Sequence, residues 1–402
     1  MQIKLTGIIA AVAIGLSPVY LWSSGLPQPS HLLFSVGLML WMILNLKNLK
    51  SMSIPPISNY ALAFLFYSIV VNTTVFVYHQ DGSTILSSIY YAFNIISFIF
   101  IIKIASQYGL KIFLKIFYIV FWCVLVVVLM IALSCLGRSF GGYRVMSTFN
   151  DPNQFAHWLL WVALIISAIG WAIKKSCMPG VIAFSLAASG ILASLSRSGM
   201  LALVVVMLVG LLVLLYSKSR SEIFLKANDF RVVKVIGVAF ILSAPLLFVN
   251  FITPSLCSLF GNEHISQASR HTALYDRVSD RGLNSSFEGR GYDRLWKFPE
   301  YLFYGAGEGA NHRWEAEAIF HGEVHSTFAG VWFYYGIPGL FFLLIFLYKI
   351  WMRLDTVWMK LLFFAPLAYS FGTYNLRNWM FWIGLAFLYL ASEHARQFRH
   401  QD

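Results

Sequence analysis

The stretch "GRGYDRLW" (residues 289–296) places two arginines, an aspartate and two aromatic rings in a chain that is otherwise mostly apolar. A second polar stretch, "GEVHSTF" (322–328), puts Glu323 two residues ahead of His325. Imidazole titrates near neutrality, so His325 is a candidate general base. A histidine at the mouth of a helix can equally be structural. Arg290 and Arg294 are four residues apart, which on a helix would give them one face. "ASLSRSG" (193–199) sets Arg197 at the edge of an apolar run. Charge is costly there and by default marks a functional position, the alternative being a helix-end arginine that reaches up to headgroups. The small polar residues around it predict a tight reversal, and the free N–H groups opening the next helix favour an anion. In "GGYRVMSTFNDPNQFAHW" (141–158), Asp151 and Pro152 form a helix-start signal. Capping accounts for those two residues but not for Arg144.

An arginine is a planar, permanently charged fork that suits phosphate oxygens better than an ammonium does. Arg197, Arg290, Arg144 and Arg294 are therefore candidate phosphate ligands, with Arg377 a further one. The simpler alternative is pairing with acidic residues on the same face. The glycines of "GAGEG" (305–309) are read as turn glycines, since no GK[ST] follows them. No DxD-like pair suggests a metal-bound nucleotide sugar, the four scattered cysteines give no metal-ligand spacing, and no cofactor is expected.

These residues need a membrane to position them. Of the 402 residues 59% are hydrophobic and only 11% charged, where a soluble domain carries about 25% charge. Apolar runs near the spanning length of roughly 20 residues recur along the chain. They predict an all-α polytopic membrane protein with about twelve spans: 5–22, 31–46, 60–78, 84–103, 112–136, 154–173, 178–194, 199–216, 235–252, 326–348, 359–374 and 378–392. The alternating ten-residue segments of a transmembrane β-barrel are absent. The N-terminus lacks a convincing cleavage site and is expected to stay as the first helix. The whole of 1–402 is expected to form a single transmembrane domain. Residues 217–234 form a linker, and the large loop 253–325 packs on the bundle as a lid. Lysine dominates one face, which the positive-inside rule makes cytoplasmic and which holds both termini. On the other face ten of eleven basic residues are arginines, Lys297 being the exception. Membrane lipids are the expected surroundings, and no nucleic-acid partner is expected.

"RVMSTFNDPNQFA", "SLSRSG", "GRGYDRLW" and "EVHSTFAGVWFYYGIPGL", in that order, resemble the bacterial O-antigen ligase/polymerase superfamily (Wzy/WaaL-like membrane glycosyltransferases). The resemblance covers roughly residues 140–345. It implies a GT-C-like membrane fold in the bacterial inner membrane and a metal-independent, inverting glycosyltransferase acting at the periplasmic face. The donor would be an oligosaccharide on undecaprenyl pyrophosphate. The acceptor would be the sugar end of a second lipid-linked repeat unit in a polymerase, or lipid A–core in a ligase. A chain-length regulator is a candidate partner. By the same resemblance Arg197 and Arg290 would hold the pyrophosphate and His325 would stand by the attacking hydroxyl; Arg144 and Arg294 are second-choice pyrophosphate ligands, Arg377 a third, and Glu323 is a further candidate catalytic residue. Trp296, Tyr292 and Trp314 are candidate flat faces for sugar rings, or interfacial anchors. The last two motifs look more like those of repeat-unit polymerases than of ligases. A transporter for the same lipid-linked glycan is a different reading, but it would place its charges along a central path reachable from both sides.

Overall fold

The computed structural model describes residues 2–22, 27–47, 54–134, 136–140, 144–217, 289–314, 318 and 322–399. The predicted span 235–252, the linker after residue 217, the first part of the 253–325 loop and Cys257 lie outside the described residues. The described chain is a helical bundle. Its first half runs α1 (Gln2–Gly15), α2 (Pro29–Leu44), α3 (Ser58–His79), α4 (Ser83–Tyr108), α5 (Leu110–Leu133), a two-stranded antiparallel hairpin β1 (Arg138–Phe140) and β2 (Arg144–Ser147), α6 (Pro152–Lys174), α7 (Met178–Ser194) and α8 (Arg197–Ser217). The second half adds two single turns, α9 (Arg294–Lys297) and α10 (Tyr301–Tyr304), then α11 (Thr327–Arg353), α12 (Val357–Leu362), α13 (Phe364–Phe371) and α14 (Trp379–Arg399).

Side-chain character decides which helices lie inside. α6 is apolar on all sides, "PNQFAHWLLWVALIISAIGWAIK", and nearly all of it is buried against α5, α7, α8 and α14. The outer helices expose large apolar side chains instead, among them Val36, Phe66, Ile119 and Leu208. Such an apolar perimeter belongs against hydrocarbon rather than water. Among the described residues five helices, α3, α4, α5, α6 and α11, are long and apolar enough to cross a membrane. α1, α2, α7, α8 and the α12–α13 pair are shorter apolar helices. A mostly helical, multi-pass membrane architecture follows.

Two predicted spans are cut short by proline. The run 5–22 stays helical only to Gly15, because Pro18 disfavours helical backbone at Ser17. The run 359–374 divides into α12 and α13, since Pro366 has no N–H for the Leu362 carbonyl and its ring crowds that turn. The β1–β2 hairpin was not anticipated from sequence.

α11 breaks at Gly336 (φ 60°, ψ −166°), and Pro338 follows inside the same helix. Pro338 cannot bond the Tyr334 carbonyl, so the break leaves acceptors without helical donors. The segment after α10 supplies them: Ala306 N–H donates to Phe333 O and Gly307 N–H to Tyr334 O, both at 2.9 Å. The approach is close. A Cβ at Gly336 would lie 2.5 Å from the Phe303 carbonyl oxygen, and one at Gly305 would lie 2.5 Å from that of Tyr334. The backbone at Gly336 is one that only glycine adopts freely, so Gly336→Ala is expected to cost about 1–3 kcal/mol, and more once the clash is added. Thermal unfolding in detergent reads this directly, and an unchanged midpoint would show that the break tolerates a side chain.

Candidate active site

A cavity of about 990 Å³ opens at the end of the bundle where α2, α4, α6, α8, α11 and α14 begin. Four of the sequence-predicted arginines line it, Arg144, Arg197, Arg290 and Arg377, together with His325 and Glu323. Local chemistry places each one. Asp151 caps α6 as expected, its Oδ1 accepting from Asn153 N–H at 2.7 Å and Gln154 N–H at 3.1 Å. That cap fixes Asn153 below β2, where its Oδ1 accepts from Ser196 Oγ at 2.9 Å and from Arg144 Nη2 at 3.4 Å. Arg144 is buried and also donates through Nε to the Ser194 carbonyl at 3.1 Å. The reversal predicted around "SLSRSG" is present. Leu195 takes the left-handed conformation (φ 51°) after α7, and Ser196 Oγ accepts from Gly199 N–H at 3.2 Å as α8 begins with Arg197.

Arg290 lies in the turn before α9, and its Nη1 donates to the Gly372 carbonyl at 3.2 Å. The Arg290 carbonyl accepts from His325 N–H at 2.9 Å, so the two segments carrying these residues are tied together. Ser326 opens α11, its Oγ accepting from Ala329 N–H at 3.3 Å. His325 is lowered below the usual histidine pKa, by burial first and by the Arg290 charge next. The neutral imidazole is therefore favoured.

A second cluster occupies another part of the wall. Glu308 lies between two glycines with positive φ, Gly307 and Gly309, and is buried. Its Oε2 accepts from Tyr335 (3.0 Å), Tyr374 (2.9 Å) and Tyr91 hydroxyls, and its backbone N–H donates to Asn72 Oδ1 at 2.9 Å. Its other oxygen meets Arg377 Nε at 3.1 Å, while Arg377 Nη2 pairs with Glu323. Three hydroxyl donors and a guanidinium make a buried carboxylate tolerable. Glu323 thus turns to Arg377. Sequence reading treated "GAGEG" as a plain turn and overlooked Glu308. The available signal was an acid set between glycines in an otherwise apolar region.

The remaining candidates lie off the cavity wall. Arg290 and Arg294 share no helix face, because Gly291 between them has φ +74° and α9 starts only at Arg294. Arg294 is fully buried, donating to the Gly322 carbonyl and, at 3.4 Å, to the Tyr334 hydroxyl, with its guanidinium 5.6 Å above the Trp314 ring. Trp314 is itself buried, stacked also beneath Arg313 at 4.6 Å. Trp296 is 57% exposed, and Tyr292 donates to the Phe371 carbonyl at 2.5 Å. None of these four lines the cavity. Arg294→Met is expected to lower stability by about 1.5–3 kcal/mol, the scale of lost hydrogen bonds to a charged group, and to leave donor affinity unchanged. Normal stability with weakened donor binding would return Arg294 to the phosphate site. Among the described residues no group of three or more His, Cys, Asp or Glu side chains could hold a metal ion.

Comparison with known proteins bears on the segments that build this cavity. No curated protein matches the chain with significance. Residues 182–344 match the family described as O-antigen ligase (Wzy_C), a stretch that includes Arg197, Arg290, Glu308, Glu323 and His325. That family is of membrane glycosyltransferase type. Through residues 182–344 the chain is similar to the O-antigen ligase/polymerase superfamily.

Proposed function

We propose that the protein is a polymerase of O-antigen or a related surface polysaccharide, working at the periplasmic face of the inner membrane. It transfers a glycan from undecaprenyl pyrophosphate to the sugar end of a second lipid-linked repeat unit, with inversion and without a metal. The observation that carries this reading is a single cavity lined by Arg144, Arg197, Arg290 and His325. In the reaction the bond from sugar C1 to the pyrophosphate oxygen breaks, and a bond from the acceptor oxygen to C1 forms. Negative charge grows on the leaving pyrophosphate, where fixed guanidiniums stabilise it. The acceptor hydroxyl loses its proton as it attacks, and neutral His325 receives it. The prenyl chain has an apolar edge to follow, where exposed Leu32 on α2 and Leu86 and Ile89 on α4 border the same cavity.

A ligase that transfers the glycan to lipid A–core uses the same chemistry, and the description of the matched family as O-antigen ligase favours it. The polymerase form rests on the resemblance of "EVHSTFAGVWFYYGIPGL" and of the 289–309 stretch to repeat-unit polymerases. Incubation of purified protein with lipid-linked repeat units, with and without lipid A–core, tests both. Longer glycans mean polymerase, glycan on lipid A–core means ligase, and recovery of unreacted donor overturns the enzymatic reading.

A further inference from the structure

The cavity has two chemically different walls. Among the described residues three guanidiniums, those of Arg144, Arg197 and Arg290, stand against one carboxylate, that of Asp151. Around Glu308, Glu323 and Arg377 two carboxylates stand against one guanidinium, and both carboxylates engage it. Nε and Nη2 of Arg377 face these two carboxylates, which offset its charge toward a phosphate. A diphosphate is drawn to the first wall and repelled by the second.

We propose that the Glu308–Arg377–Glu323 wall is the acceptor subsite and takes an uncharged, hydroxyl-bearing saccharide. The inference rests on the glycosyltransferase reading above. Carboxylates and amides hydrogen-bond sugar hydroxyls well, and this wall continues into Ser83, Asn311 and Asn378. The Trp379 indole lies on the same cavity wall beside Asn378, and its buried Nε1 has no hydrogen-bond partner among the described residues. Its ring packs against His31, Phe34 and Phe93, so what it offers the cavity is a donor for a sugar hydroxyl. Arg377 orients Glu323, and Glu308, fixed by three tyrosines from α4, α11 and the loop before α14, orients Arg377. His325 is two residues from Glu323 and bonded to Arg290 through its backbone, so it sits where the two walls meet.

The test uses the full chain in nanodiscs. An alkyl glycoside of the repeat unit serves as acceptor, since it has no diphosphate and cannot act as donor. Undecaprenyl pyrophosphate is the probe of the arginine wall. Glu323→Gln keeps the shape of a side chain that is about one third exposed, so the fold is expected to survive. The KM for the glycoside should rise about tenfold, the scale of one lost charged hydrogen bond, while the Kd for undecaprenyl pyrophosphate stays within about twofold. Trp379→Phe removes the indole N–H but keeps a ring and should shift the two constants in the same unequal way. An acceptor KM unchanged in both variants, or a Kd that weakens in step with it, overturns the subsite. Failure of the wild-type protein to transfer to any acceptor overturns the glycosyltransferase reading and this inference together.

Discussion

Arg197→Lys is expected to lower glycan transfer on the order of 100-fold, the scale set by removing one donor aimed at developing negative charge. Lysine keeps the charge but loses the planar fork, so the loss isolates geometry from electrostatics. Arg290 also ties down the Gly372 carbonyl through its side chain and holds His325 through its backbone, and Arg144 braces Ser194 and Asn153, so a loss at either would mix anchoring with chemistry. Expression and thermal midpoint should match the wild type, because the α7–α8 reversal is made by Leu195 and Ser196. Turnover is measured with lipid-linked donor at saturating acceptor. Full activity in both Arg197→Lys and Arg197→Ala would remove Arg197 from the leaving-group site.

His325→Ala should abolish transfer while undecaprenyl pyrophosphate still binds. Its backbone bond to Arg290 and the Ser326 cap of α11 do not depend on the imidazole, so the segment keeps its place. The pH profile gives an independent reading. A base must be neutral to accept a proton, and burial and Arg290 hold this imidazole below the usual value near 6.5. Activity should therefore be level through neutrality and fall only as acid brings the pH down to that lowered value. An acid limb centred above 6.5 would mean that another group controls the rate. His325→Gln separates two roles, since an amide can orient a hydroxyl but cannot take its proton. Substantial turnover in His325→Gln leaves orientation standing and removes the base. Wild-type turnover in His325→Ala removes both.

Local chemistry was legible in the sequence. Asp151 with Pro152, the "SLSRSG" reversal and Ser326 before α11 are short-range signals, and each one fixes a residue on the cavity wall. Two kinds of information were hidden. Arg290 and Arg294 looked like neighbours on one face, but a single left-handed Gly291 separates them, and the second arginine turns inward to Trp314. Glu308 meets Tyr91 across 217 positions and Tyr374 across 66, and no periodicity or spacing rule reports such convergence. Spacing also put Glu323 beside His325, whereas the fold gives it to Arg377 from the far end of the chain.

The break in α11 has a consequence for building hybrid proteins. The loop that bears Glu308 hangs by its amides from carbonyls of Phe333 and Tyr334. Its seat is part of a spanning helix, not of the loop. Exchanging residues 289–325 between two such proteins, as a way of trading substrate preference, therefore transplants a plug without its socket. A graft that carries residues 289–339 as one cassette moves both halves of the joint, the Gly336 break and Pro338 included.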